Sequence, residues 1–242
     1  MQQADDLNPA VTKDLIAYLR RFVTEERFQK FQDNIRFRTR YITIALEDIY
    51  QPHNASAVLR TCDCFGIQNV HIIENRNKYE VNPDVALGAS KWLDLFRYQG
   101  DDHNTAACLS KLKQQGYRIV ATTPHKDDYI PETLPLNQKT ALVFGTELAG
   151  LTPVALEMAD DFIRIPMVGF TESLNISVSA AIFIQTLTNR LRASGIEWQL
   201  SGQEKDEVLL NWLMQSVSRS EKIVRGFLEE NHISLAFLDP KS

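Results

Sequence analysis

The sequence predicts an α/β fold: a mainly parallel sheet with helices on both faces, plus helical extensions at the N- and C-terminal ends. Three observations carry this reading. Short β-branched or apolar runs, at residues 41–46, 70–73 and 141–144, alternate with longer stretches of helical spacing. Gly66 and Gly116 each close a helical stretch just before a strand-like run. A third kind of signal lies at 163–169, where an apolar run stops at Pro166 and small polar residues precede a helix. Such strand ends are where open α/β sheets bind ligands.

The elements follow in order. Residues 9–33 set Leu15, Leu19, Phe22, Val23, Phe28 and Phe31 among charged residues, which predicts one or two amphipathic helices. Residues 41–46 predict a strand. Pro52 and Asn54 open a helix to about Phe65, stopped by Gly66. Residues 70–73 are a second strand, and 75–98 hold a loop, a short helix and a strand near 92–96. Residues 104–115 are helical and end at Gly116, followed by a strand at 117–121. The Pro-, Asp- and Asn-rich run 124–139 is a loop. Then come a strand at 141–144, a helix at 153–159, a strand at 162–165 and a long helix at 175–193. Residues 204–230 form one more helical stretch, and the tail Phe237-Leu238-Asp239-Pro240 is loose. The expected organisation is a core at 41–195, with helical extensions at 1–40 and 196–242 that hold few apolar residues of their own.

Composition narrows the function. The chain has 242 residues, 44% hydrophobic and 24% charged, ordinary values for a soluble globular protein. No apolar run is long enough to span a membrane. The polar, acidic start Met1-Gln2-Gln3-Ala4-Asp5-Asp6 does not read as a secretory signal. Cys62, Cys64 and Cys108 suit neither a disulfide framework nor a zinc site, so free thiols in a reducing cytoplasm and no metal are expected. The net charge of −5 weighs against nucleic-acid binding, but residues 20–40 carry seven basic residues against three acidic ones. A local basic patch on an acidic protein can still follow phosphates.

Three blocks carry chemistry. The first is Asn54-Ala55-Ser56-Ala57-Val58-Leu59-Arg60. Asn54 suits a helix cap, and Arg60 read alone is a surface arginine. They lie six positions apart and are not close neighbours on one helical face, but an Asn54 in the loop before the helix can turn its side chain toward Arg60. The second block is Phe144-Gly145-Thr146-Glu147-Leu148-Ala149-Gly150. A glutamate stands where a dinucleotide fingerprint has its middle glycine, which is wrong for cradling a pyrophosphate and suits a ligand without phosphates. The third block is Ile163-Arg164-Ile165-Pro166-Met167 with Ser173-Leu174-Asn175 opening a helix. A plain helix start capped by Ser173 is the simpler reading of that last step.

In order and spacing, the three blocks resemble the TrmH family of SPOUT methyltransferases over roughly residues 40–195. The resemblance implies S-adenosyl-L-methionine as cofactor and methylation of a ribose 2′-hydroxyl in RNA. It implies a C-terminal trefoil knot, which periodicity cannot show, and a homodimer with the helix at 175–193 packing across it; the apolar stripe Phe183, Ile184 and Leu187 on that helix suits this interface and equally suits plain intramolecular core. Catalytic roles are implied for Arg60, Asn54, Glu147, Ser173 and Asn175. Cofactor contacts are implied at Thr122, Gly145, Ile165 and Leu174. The RNA contacts expected from the basic residues are Arg20, Arg27, Arg38, Arg190 and Arg192. The implied substrate is tRNA, at the D-loop guanosine of nucleotide 18, with no DNA or membrane partner. Two alternatives stand beside it: the same reaction on 23S ribosomal RNA, and a non-catalytic RNA-binding module of the same fold. An ordinary nucleotide enzyme is disfavoured by the absence of both G-x-G-x-x-G and a P-loop.

Overall fold

The computed structural model describes residues 7–78, 86, 88–100, 103–126, 128–147 and 149–234. The tail expected to be loose at 237–240 lies outside the described residues. Contacts divide the chain into two units, Thr39–Trp198 and Met1–Arg38 with Gln199–Ser242.

The larger unit holds six strands: β1 Ile42–Glu47, β2 Asn69–Ile73, β3 Asp94–Tyr98, β4 Arg118–Thr122, β5 Thr140–Phe144 and β6 Asp161–Ile163. Their order across the sheet is β3-β2-β1-β5-β4-β6, and the pairings are parallel. Parallel strands need crossovers, and α3 (Pro52–Phe65), α4 (Asn104–Gln114) and α5 (Pro153–Met158) lie in those from β1 to β2, from β3 to β4 and from β5 to β6. A fourth helix, α6 (Ile176–Ala193), follows β6.

Both faces of the sheet are covered, and the side chains sort by the strand period of two. On one face, Ile42, Ile44 and Leu46 of β1 and Leu142 and Phe144 of β5 join Val58 and Leu59 of α3 and Phe183, Ile184 and Leu187 of α6. On the other, Ala45, Ala141 and Val143 meet Cys108, Leu109 and Leu112 of α4 and Ala155 of α5. Each fully buried Leu or Ile contributes roughly 2 kcal/mol. Of the two readings of the Phe183, Ile184 and Leu187 stripe the structure favours the intramolecular one: at 3%, 0% and 0% exposure it is core of this unit.

Helix ends follow their capping residues. Pro52 stands at the first position of α3, and Gly66 closes it in the left-handed region at φ 79. The strand expected near 92–96 sits at Asp94–Tyr98, because Ala89–Trp92 forms a 3₁₀ turn ahead of it.

The second unit joins both ends of the chain: α1 (Pro9–Leu19), α2 (Glu25–Ile35), α7 (Gly202–Ser216) and α8 (Ser220–Glu230). The N-terminal stretch splits because Thr24 caps α2, accepting from Arg27 N at 3.2 Å. The C-terminal stretch, read as one run from the sequence, also splits: Arg219 adopts φ 58 between α7 and α8. Ser201 and Glu204 start α7 with a reciprocal capping box. Leu15, Leu19, Phe31, Val208, Leu213 and Val224 are buried in this unit, and the Phe31 and Trp212 rings lie 5.7 Å apart.

Candidate active site

The strand order reverses between β1 and β5, whose chain continuations diverge to opposite sides of the sheet. In open α/β sheets ligands bind at the C-terminal strand ends beside such a point. A cavity of about 330 Å³ lies there, walled by the ends of β4, β5 and β6 and the start of α6.

All four residues expected to touch a cofactor line it: Thr122, Gly145, Ile165 and Leu174. The Thr122 hydroxyl is already engaged, donating to Val143 O at 2.9 Å. Gly145 is required for a local reason. A Cβ there would overlap the backbone of Gly150 and the amide nitrogen of Leu151. The missing side chain lets the backbone double back, with Thr146 and Gly150 exchanging both backbone hydrogen bonds at 3.0 Å. Gly150 completes the turn at φ 69. Gly145 thus serves the turn as well as lining the cavity.

The turn presents Glu147 to two asparagines. Asn54 Nδ2 donates to Glu147 Oε1 at 2.7 Å, and Asn175 Nδ2 donates to the same oxygen at 2.8 Å. Asn175 Nδ2 also lies 3.2 Å from Asn54 Oδ1, and Gln51 Oε1 accepts from Asn54 at 3.0 Å. Residues 93 and 28 positions apart in sequence are thereby joined at one carboxyl group. Asn54 is not in a loop before the helix: α3 starts at Pro52, and Asn54 sits in its first turn, 3% exposed. Its side chain therefore turns to Glu147 and not to Arg60. Arg60 lies further along α3, exposed to solvent, and its guanidinium makes no hydrogen bond or ion pair among the described residues.

Asn175, not Ser173, caps α6, accepting from Ser177 N at 2.8 Å while its amide serves Glu147. Ser173 is exposed and lines the cavity. The cavity also takes in Phe144, Leu156, Met167 and Phe183, with His125 and Arg164 among its polar lining. Phe144 and Met167 belong to the second and third blocks, Leu156 and Phe183 carry no sequence signal beyond core patterning, and His125 lies in a segment legible only as loop.

The basic residues divide. Arg20 is exposed, pairs with Glu25 at 3.0 Å and lies over the Phe28 ring. Arg27 is exposed. Arg38 is 5% exposed with its guanidinium 5.1 Å from the Trp212 ring centroid, so this expected RNA contact is withdrawn into the fold. Arg190 donates to Pro131 O at 2.5 Å and Arg192 to Phe65 O at 2.6 Å, both half-buried. Burial lowers the Arg192 pKa from its ordinary value. Among the described residues no cluster of three or more His, Cys, Asp or Glu could hold a metal ion, and no helix is long and apolar enough to cross a membrane.

With this geometry in place, known proteins provide a comparison. The profile of the SpoU rRNA Methylase family matches residues 41–185. A tRNA (guanosine(18)-2'-O)-methyltransferase of Borreliella burgdorferi is 42% identical over 208 residues, covering 86% of this chain and 94% of that protein. The crystal structure of the A. aeolicus TrmH/SpoU tRNA modifying enzyme superposes with a TM-score of 0.72 at 27% identity, over 80% of this chain and 98% of the other. The SpoU methyltransferase AviRb of Streptomyces viridochromogenes, solved with the cofactor AdoMet, shares the fold at a TM-score of 0.57 and 20% identity, over 67% of this chain and 65% of that one.

Proposed function

Because the chain belongs to the SpoU rRNA Methylase family, we propose that it methylates a ribose 2′-hydroxyl of tRNA, at the D-loop guanosine of nucleotide 18, with S-adenosyl-L-methionine as methyl donor. The observation that carries this is the meeting of Asn54, Glu147 and Asn175 beside a cavity lined by Thr122, Gly145, Ile165 and Leu174. The cavity suits the donor: its wall is a tight glycine turn tipped by a carboxylate, a setting for a phosphate-free cation. When bound, S-adenosyl-L-methionine supplies an electrophilic methyl group on a sulfonium.

The protein's own residues hold and position. Thr122, Gly145, Ile165 and Leu174 would hold the donor. Glu147, pinned by two amides, and Ser173 stand at the cavity, where they orient the acceptor ribose. Arg60 is the exposed cation on the helix that carries Asn54. A guanidinium has a pKa above about 12 and rarely gives up its proton. Its role is therefore to grip the phosphate next to the acceptor and stabilise the developing alkoxide. DNA lacks the 2′-hydroxyl and is no acceptor. Arg20 and Arg27 are the RNA contacts that fit an exposed surface, whereas Arg190 and Arg192 chiefly tie α6 to neighbouring carbonyls.

The same reading includes the knot, a homodimer and a cytoplasmic location. For the knot, the support is residues 123–139: leaving β4, they pair Tyr129 with Ile163 along β6 before the chain enters β5. For the dimer it is Val168 and Phe170, fully exposed in the loop between β6 and α6. A monomer by light scattering removes the dimer. The three free cysteines fit a reducing compartment.

The test supplies labelled S-adenosyl-L-methionine with unmodified tRNA or 23S ribosomal RNA fragments, and maps the label by digestion and mass spectrometry. The expected product is 2′-O-methylguanosine in the tRNA D-loop. Arg60→Ala lowers turnover by on the order of a hundredfold or more while the donor still binds. Label only in ribosomal RNA overturns the substrate. No transfer and no donor binding overturns the reaction and leaves the non-catalytic module.

A further inference from the structure

Glu47 ends β1 at 1% exposure and belongs to none of the three blocks. Its carboxyl group is met by three uncharged donors. Thr152 N donates to Oε2 at 2.8 Å, Thr152 Oγ1 to Oε1 at 2.7 Å, and Thr105 Oγ1 to Oε1 at 2.6 Å. The direction of these bonds is fixed by what else the hydroxyls do. Thr105 Oγ1 accepts from Asn75 Nδ2 at 2.9 Å, and Thr152 Oγ1 accepts from Ala155 N at 3.2 Å as the cap of α5. Each hydroxyl therefore has its proton left for Glu47, and only an acceptor on both oxygens satisfies the set.

The place of Thr152 gives this arrangement its consequence. It follows Leu151, which lines the donor cavity directly after the turn closed by Gly150. Glu47 holds the chain just past that turn. Seven residues further along the chain, Asn54 holds its tip at Glu147. We infer that Glu47 is a positioning residue for the donor, clamping the 145–152 segment from beneath so that Gly145 and Glu147 face the cavity in one geometry. It touches neither donor nor acceptor. The inference rests on the donor assignment made above and adds a residue to it.

The test is Glu47→Gln. The amide keeps the shape but turns a donor toward either the Thr152 N–H or a threonine hydroxyl. Titration calorimetry with S-adenosyl-L-methionine and, separately, with tRNA is run on wild type and variant, with circular dichroism to verify folding. The expected result is a donor Kd raised about tenfold, the scale of one charge-assisted hydrogen bond, with an unchanged tRNA Kd and a rise in KM for the donor that exceeds the fall in kcat. Thr152→Val, which deletes one of the same bonds, shifts the donor Kd in the same direction, and Thr152→Ser restores it. Should Glu47→Gln not fold, the Thr152 pair carries the test. A folded Glu47→Gln with wild-type donor affinity, or equal losses for donor and tRNA, overturns the clamp. Wild-type protein that binds no donor overturns the donor assignment itself, a failure told apart by its presence before any substitution.

Discussion

Gly145 shows how one missing atom sets the site. Its hydrogen lies where a Cβ would collide with the Gly150 backbone and the Leu151 nitrogen, and backbone cannot swing aside as a long side chain can. Gly145→Ala therefore opens the turn, at a cost of about 1–3 kcal/mol by analogy with overpacking. The cost falls on donor binding because the turn is the cavity wall. Donor Kd rises by at least about tenfold, measurable by calorimetry, whereas Arg60→Ala leaves it unchanged. Wild-type affinity in a folded Gly145→Ala protein would show that the turn is not part of the donor site. At this scale the sequence showed the strand ends and the glycines, while the cofactor roles of Thr122, Gly145, Ile165 and Leu174 came from the family resemblance; the structure brings these four to one cavity. The partner of Asn54 was not legible: Glu147 is 93 residues away, and no local pattern encodes which way a buried amide turns once the helix begins two residues earlier.

The central strands β1 and β5 were legible because they are buried along their whole length and read as nearly continuous apolar runs, whereas edge strand β3, which carries Asp94 and Arg97, was legible only approximately. What the pattern hid were breaks made by single backbone angles, such as Arg219 at φ 58 between α7 and α8, which leave the apolar spacing intact. Strand β2 carries an exception to its apolar run. His71 is 2% exposed, stacked on Phe96 of β3 at 4.7 Å, with Nδ1 3.2 Å from the Tyr98 hydroxyl. Burial first, and then the charge of Lys111, lowers its pKa to about 3. Nearby, burial also raises the Cys108 thiol to about 12, so that thiol stays protonated. The folded pKa of His71 is depressed below the unfolded value of about 6.5. Between these values the unfolded chain binds a proton that the native chain does not, so stability is full above about pH 6.5 and falls as pH drops toward 3. The loss reaches on the order of 4 kcal/mol. His71→Phe keeps the stack and removes the titration, at a cost of about 1 kcal/mol at neutral pH from the lost Tyr98 partner. Denaturant midpoints at pH 7 and pH 4 measure it: the wild-type drop between them shrinks in the variant, and an equal drop would place the acid sensitivity elsewhere.

Across the whole molecule, charge is distributed unevenly. A net charge of −5 coexists with seven basic residues in 20–40, and the unit that holds most of them is built from the two chain ends. The sequence alone could not separate the members of that cluster, since burial depends on packing: Arg38 is covered over Trp212, whereas Arg27 is left in solvent on α2. An acidic protein repels RNA at long range, so binding has to come from exposed cations close to phosphates, and each such contact releases counterions. Arg27→Ala is then expected to weaken tRNA binding at every sequence alike. It also lowers the slope of log K against log salt concentration by about 0.7–0.9, while donor affinity stays as in wild type. Arg38→Ala behaves differently: removing a buried cation from an aromatic ring lowers the unfolding midpoint and leaves the salt slope in place. Fluorescence anisotropy of labelled tRNA over a salt series reads both variants. Equal slopes for wild type and Arg27→Ala would remove Arg27 from the RNA-binding surface, and a reduced slope for a folded Arg38→Ala would return Arg38 to it.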